Sequence, residues 1–173
     1  MGGVGAFCIG LRHPERFGLL VGLMPALNLR WMDRYENYLA PFDANNWGWR
    51  NRVDNPREVI GKFGPLKIHM KDILIPAFGR GNSAIQLASE NNPIEQIDRH
   101  HVKQGQFQML ITIAGRDNFN LNAQAHSFVH LARHRGLQVD TYEMPRGTHD
   151  IGTAQKMIPT VFDWLQQKLA AYQ

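Results

Sequence analysis

The chain has 173 residues, 43% of them hydrophobic, enough for one globular domain that buries roughly two-thirds or more of its surface on folding. Its 19 Lys and Arg against 15 Asp and Glu give a formal charge of +4, but the basic residues are scattered, which speaks against nucleic-acid binding. No stretch approaches the about 18 consecutive apolar residues of a membrane span, no signal-peptide pattern opens the chain, and the single cysteine, Cys8, has no internal disulfide partner.

The opening Met1-Gly2-Gly3-Val4-Gly5-Ala6-Phe7-Cys8-Ile9-Gly10-Leu11 runs small and apolar residues straight into a helix ending near His13-Pro14, and the chain is expected to begin inside structure. Cys8 falls in that pattern and reads as a small buried hydrophobe. Gly18-Leu19-Leu20-Val21-Gly22-Leu23-Met24, closed by Pro25, is a continuous apolar run, as a strand buried on both faces reads. From Asn28 to about Ile75 the periodicity fades, and Trp31, Trp47 and Trp49 stand with Tyr35, Tyr38 and Phe42 among Asn, Asp, Gly and Pro. This insertion, taken as 29–75, reads either as a cap whose tryptophans line a substrate pocket or as the satellite core of a long loop.

Pattern resumes at Asn91-Asn92-Pro93, where Pro93 suits the first turn of a helix reaching about His101. Phe107 to Ala114 is a second apolar strand, ended by Gly115-Arg116-Asp117. A helix from about Leu121 to Arg135 stops at Gly136, a left-handed C-terminal cap. Leu137 to Met144 is a third strand, and Ile158, Val161, Phe162, Leu165 and Leu169 then recur at the spacing of an amphipathic final helix. The order predicts an α/β class with about three parallel strands and helices on both faces.

In open parallel sheets, working residues sit in loops just past the carboxyl ends of strands. Asp117 follows the strand 107–114, and His149 follows the strand 137–144 in the loop Pro145-Arg146-Gly147-Thr148-His149-Asp150. An aspartate bonded to one imidazole nitrogen leaves the other free to take a proton from a nucleophile. The competing, weaker reading of Asp117 is a cap for the helix starting near Asn120, and Asp140 is a rival acid, though it lies inside a strand. His126, His130 and His134 invite a zinc reading by their spacing, but they line the helix face opposite Leu121, Phe128, Val129 and Ala132, so the face is read as solvated and no metal is expected.

The opening Met1-Gly2-Gly3-Val4-Gly5-Ala6, the later Leu11-Arg12-His13-Pro14-Glu15-Arg16-Phe17, the loop Ala114-Gly115-Arg116-Asp117 and the loop Glu143-Met144-Pro145-Arg146-Gly147-Thr148-His149-Asp150 together resemble the putative-esterase family of α/β hydrolases. That group includes S-formylglutathione hydrolases, tributyrin esterases and feruloyl-esterase-like enzymes. The start is similar to the family's Gly-x-Ser-Met-Gly-Gly-x-Gly-Ala elbow from the residue after the serine onward.

The resemblance implies that residues 1–173 form a single, incomplete α/β-hydrolase domain, its C-terminal part, with 29–75 as a cap-like insertion. It implies a carboxylic-ester hydrolase of Ser-Asp-His chemistry acting on a small-molecule ester without metal or organic cofactor. The serine would immediately precede Met1, whose backbone N–H would form half of an oxyanion hole, and Asp117 and His149 would be the other triad members. Ser83, Ser89 and Ser127 have no Gly-x-Ser-x-Gly setting, so residues 1–173 alone are expected to be inactive. The alternative is a non-catalytic remnant serving as a binding module. In either case the uncovered edge of the strand at 18–24 is expected to favour self-association.

Overall fold

Small residues dominate the first helix, and they set how closely it lies on the sheet. In the computed structural model, which describes residues 2–53 and 55–170, helix α1 spans Gly2–Arg12 and strand β1 Leu19–Leu23. The middle of the chain continues as β2 (Trp31–Asp33), β3 (Trp47–Trp49), β4 (Val59–Phe63), β5 (Leu66–His69), a 3₁₀ turn at Met70–Asp72, α2 (Leu74–Phe78), α3 (Gly81–Glu90) and α4 (Pro93–Arg99). The chain closes with β6 (Gln108–Ala114), α5 (Leu121–His134), β7 (Val139–Met144) and α6 (Ile151–Leu169).

The main sheet has the order β1-β6-β7 and is parallel throughout, with Val21 beside Leu110 and Ile111 beside Thr141. The central strand is buried on both faces, as its unbroken apolar run predicts. Met109, Ile111 and Ile113 join Phe7 and Leu11 of α1, Ile94 and Ile97 of α4, and Phe128 and Ala132 of α5 in the largest core cluster. Ala114, on the opposite face of the strand, packs against Met157 of α6. The expected α/β class with three parallel strands therefore holds, and six helices are present among the described residues. Gly136 adopts φ +75° directly after α5, the left-handed cap its position predicts. Cys8 is buried, donates its thiol proton to the Asn91 carbonyl at 3.2 Å, and is pushed up in pKa by that burial.

Two expectations from the sequence need correction. The segment 29–75 is not irregular throughout: β2 and β3 pair antiparallel, and so do β4 and β5 around a two-residue Gly64-Pro65 turn with Gly64 at φ +58°. Their apolar side chains form a second core around Trp31, Tyr38, Ile60 and Met70, which borrows Ala84 from α3 and Ala123 from α5. The final helix also turns a different side to the sheet. Thr153, Met157 and Trp164 are buried, whereas Ile158, Phe162 and Leu169 of the expected stripe are exposed. On the buried side Met157 packs with Met24 and Ala114, and the Trp164 indole N–H reaches the Asp140 carboxylate at 2.7 Å, with the Lys168 ammonium also beside it.

A buried polar network fastens the two cores together. The Asn28 amide donates to Gln124 Oε1, and its side chain donates to Ser127 Oγ. Gln124 donates in turn to the Tyr38 hydroxyl, and the Leu29 amide donates to Asn92 Oδ1. Each such group would cost about 1–3 kcal/mol if left buried without its partner, so the middle segment is held in one place relative to α5.

Candidate active site

The loops after β6 and β7 are drawn together by their own backbones. The Gly115 amide donates to the Met144 carbonyl and the Arg116 amide to the Gly147 carbonyl, each at 2.9 Å. This approach requires glycine at 115, because a Cβ there would lie 2.7 Å from the Pro145 carbonyl oxygen and 2.9 Å from its Cα. Asp117 and His149 are thereby set opposite each other, 32 positions apart in sequence, with His149 Nδ1 2.8 Å from Asp117 Oδ2. The Asp117 side chain is 1% exposed and that of His149 33%. An ionised carboxylate can only accept, so Nδ1 carries the proton and Nε2 is the free acceptor. Nε2 has no hydrogen-bond partner among the described residues.

The two oxygens of Asp117 divide the two roles that its position allowed. Oδ2 faces the imidazole, while Oδ1 accepts the Phe119 amide at 2.8 Å and the Leu121 amide at 3.2 Å, holding the first turn of α5. The turn itself is fixed by Asn120 in the left-handed region, φ 57°, whose side-chain amide donates to the Tyr38 and Ala40 carbonyls. His149 is held by its neighbours as well. Its backbone amide donates to Asn118 Oδ1 at 3.0 Å, and its ring meets Phe119 edge-on at 5.5 Å. Directly after it, Asp150 caps α6 by accepting the Thr153 amide at 2.8 Å, and bonds from the Thr148 hydroxyl and then that amide hold its carboxyl below the ordinary aspartate value.

The exposed part of the imidazole borders two cavities. One, of about 390 Å³, is shared with Gly2, Gly3 and Ala6 at the start of α1 and with Val21, Leu23 and Pro25 in and just beyond β1. The other, of about 480 Å³, is bounded by Phe119 and Leu121 on one side and by Ile60, Leu74 and Phe78 of the middle segment on the other. None of Ser83, Ser89 and Ser127 borders either cavity. Ser127 is buried in the polar network, Ser89 donates to Glu95, and Ser83 donates to the Arg80 carbonyl.

The remaining candidates lie elsewhere, except Met1, which falls outside the described residues. Trp31 is fully buried in the second core, with its indole N–H on the Tyr38 carbonyl. Trp47 and Trp49 stack edge-on at 5.2 Å, Trp47 against His130 and Trp49 under the Arg30 guanidinium. None of the three borders the cavities at His149. Asp140 serves Trp164 and Lys168 and is not near His149. His130 and His134 are exposed, His126 meets Glu143 at 3.1 Å, and no cluster of three or more His, Cys, Asp or Glu among the described residues is placed to hold a metal ion. The apolar wall from Ile60 to Phe78 is what sequence reasoning missed; its one legible signal was the β4–β5 alternation around Gly64-Pro65.

No family model, curated protein or solved structure matches the chain. No described helix is long and apolar enough to cross a membrane.

Replacing Gly115 with alanine pushes a Cβ into the Pro145 backbone. Overpacking of this kind costs typically about 1–3 kcal/mol, and urea unfolding of Gly115→Ala is expected to show a loss of that size. Unchanged stability would mean that the two loops do not meet this closely.

Proposed function

We propose that this chain supplies the acid and the base of a serine esterase, and that its fold is the C-terminal part of an α/β hydrolase. The observation that carries the reading is the buried Asp117 carboxylate on His149 Nδ1 at 2.8 Å, with the rest of the imidazole opening on the cavity at the start of α1. That start is where the sequence resemblance puts the nucleophile, as the residue immediately before Met1. Gly2 and Gly3 border that cavity without contributing side chains to it. The Ser-acid-His chain order also fits, with the acid after β6 and the histidine after β7.

In this reading the serine Oγ attacks the ester carbonyl while His149 Nε2 takes its proton. The proton then passes to the departing alcohol, and a water activated by the same nitrogen hydrolyses the acyl-enzyme. Asp117 fixes the tautomer and stabilises the imidazolium formed in each half-reaction. The N–H of Met1, as the residue after the serine, would face the developing oxyanion.

The coding DNA upstream of the Met1 codon decides between this and a non-catalytic binding module. The expected result is an open frame ending in Gly-x-Ser directly before Met1. The protein so extended should hydrolyse p-nitrophenyl esters, and Asp117→Asn should lower kcat by about 10⁴. Residues 1–173 alone should release no burst of p-nitrophenol. A burst from them, or an extended protein indifferent to Asp117→Asn and His149→Gln, would contradict the assignment.

The open side of the sheet belongs to the same proposal. Strand β1 hydrogen-bonds to β6 along one edge only, and Leu19–Leu23 carries no charge to guard the other. On α6, Ile151, Ile158, Phe162 and Leu169 form an exposed apolar stripe. Unguarded edges of this kind recruit partners, so residues 1–173 are expected to self-associate at micromolar concentration, and Phe162→Glu to weaken that association. A concentration-independent monomer in sedimentation velocity would count against it.

A further inference from the structure

The larger cavity beside His149 carries information about the substrate. Its walls come from Val4 in α1, Leu29 after β1, Ile60, Leu74 and Phe78 in the middle segment, and Phe119 in the loop that presents Asp117, which leads into α5. Among the described residues no Lys, Arg, Asp or Glu borders it. The two polar side chains that do, other than His149, satisfy one another. The Tyr38 hydroxyl donates to the Phe119 carbonyl at 2.8 Å and accepts from Gln124 Nε2 at 2.9 Å, while Gln124 Oε1 accepts the Asn28 amide. An ionised group entering this space would lose its hydration and find no counter-charge, which is costly. At about 480 Å³ the cavity lies within the range of about 300–1,000 Å³ found for small-molecule sites, far more than a formyl or acetyl group fills.

Resting on the esterase reading, we infer that this cavity takes an uncharged aliphatic group of medium length from the ester, and discriminates against short acyl groups and against groups bearing a carboxylate. The Asp117–His149 pair and the cavity share the Phe119 loop, so a chain lying against Phe119 and Phe78 is held with its head at the imidazole. Each buried methylene should then tighten binding by roughly fourfold until the cavity is full.

The test uses residues 1–173 and inert methyl ketones, which need no nucleophile: 2-hexanone, 2-octanone and 2-decanone, with acetone as the short control and 9-oxodecanoate, the same methyl ketone with a carboxylate at its far end, as the charged one. Binding is followed through the imidazole ring signals of His149 in proton–carbon NMR spectra, assigned with His149→Gln. The expected result is affinity rising about fourfold per methylene through the ketones, with 9-oxodecanoate at least tenfold weaker than 2-decanone. Ala77→Trp, which adds bulk at an exposed residue on the rim, should abolish the rise with chain length. Phe78→Lys should reverse the preference toward 9-oxodecanoate. A flat series, or 9-oxodecanoate binding as well as 2-decanone to the unmodified chain, would overturn the inference.

The two readings fail separately. A rising series with no ester hydrolysis by the serine-bearing extended protein removes the esterase and leaves an apolar ligand site. Hydrolysis with a flat series keeps the esterase and removes this account of its substrate.

Discussion

Two backbone hydrogen bonds, from Gly115 to Met144 and from Arg116 to Gly147, set the geometry on which the site depends. They continue the β6–β7 ladder past its last paired residues, so the two loops leave the sheet side by side. Only a residue without a Cβ tolerates this approach at position 115. Local contacts complete the placement: Asp117 is pinned by the amides of Phe119 and Leu121, His149 by Asn118 and Phe119, and the two side chains meet with little freedom left to lose. A general base held this way has its orientation settled before any substrate arrives.

The middle segment depends on the same loop from the other direction. Asn118 exchanges hydrogen bonds with β4, its backbone carbonyl accepting the Lys62 amide and its side chain donating to the Lys62 carbonyl. Asn120 reaches the Tyr38 and Ala40 carbonyls, and Phe119 packs against Phe63. Residues 117–120 thus tie the acid, the histidine and the apolar wall to one another. Burial pushes the Tyr38 phenol well above its ordinary pKa, so this group between the cavity and the polar network stays neutral and keeps donating to Phe119.

How each element is buried decided whether the sequence revealed it. Strand β6 read correctly because a strand covered on both faces needs an unbroken apolar run, whereas β1, expected to be buried the same way, has every other residue only half-buried. Asp117 and His149 were legible by their place just past strand ends. Helix α3 was missed because its buried side chains are two alanines, Ala84 and Ala88, and no side chain caps its start. The strands β2 and β3, three residues each, are too short to show a period. The tryptophans drew the pocket reading because large aromatics often line pockets, but Trp31 and Trp47 are needed to fill the second core. The apolar wall at His149 mixes aliphatic residues with Phe78 and Phe119, and only the β4–β5 alternation marked any part of it in the sequence. In α6 the buried side carries Met157 in the core and Trp164 bonded to Asp140, contacts that no periodicity reveals.

The central claim is the hydrogen bond between His149 Nδ1–H and the buried Asp117 carboxylate. Proton and nitrogen NMR of the imidazole at neutral pH tests it directly. The account predicts a strongly downfield, slowly exchanging Nδ1 proton, nitrogen shifts of the Nδ1–H tautomer, and loss of the downfield signal in Asp117→Ala. Nitrogen shifts of a freely exchanging tautomer mixture, unchanged by Asp117→Ala, would show that the two side chains are not paired and would contradict the site built on them.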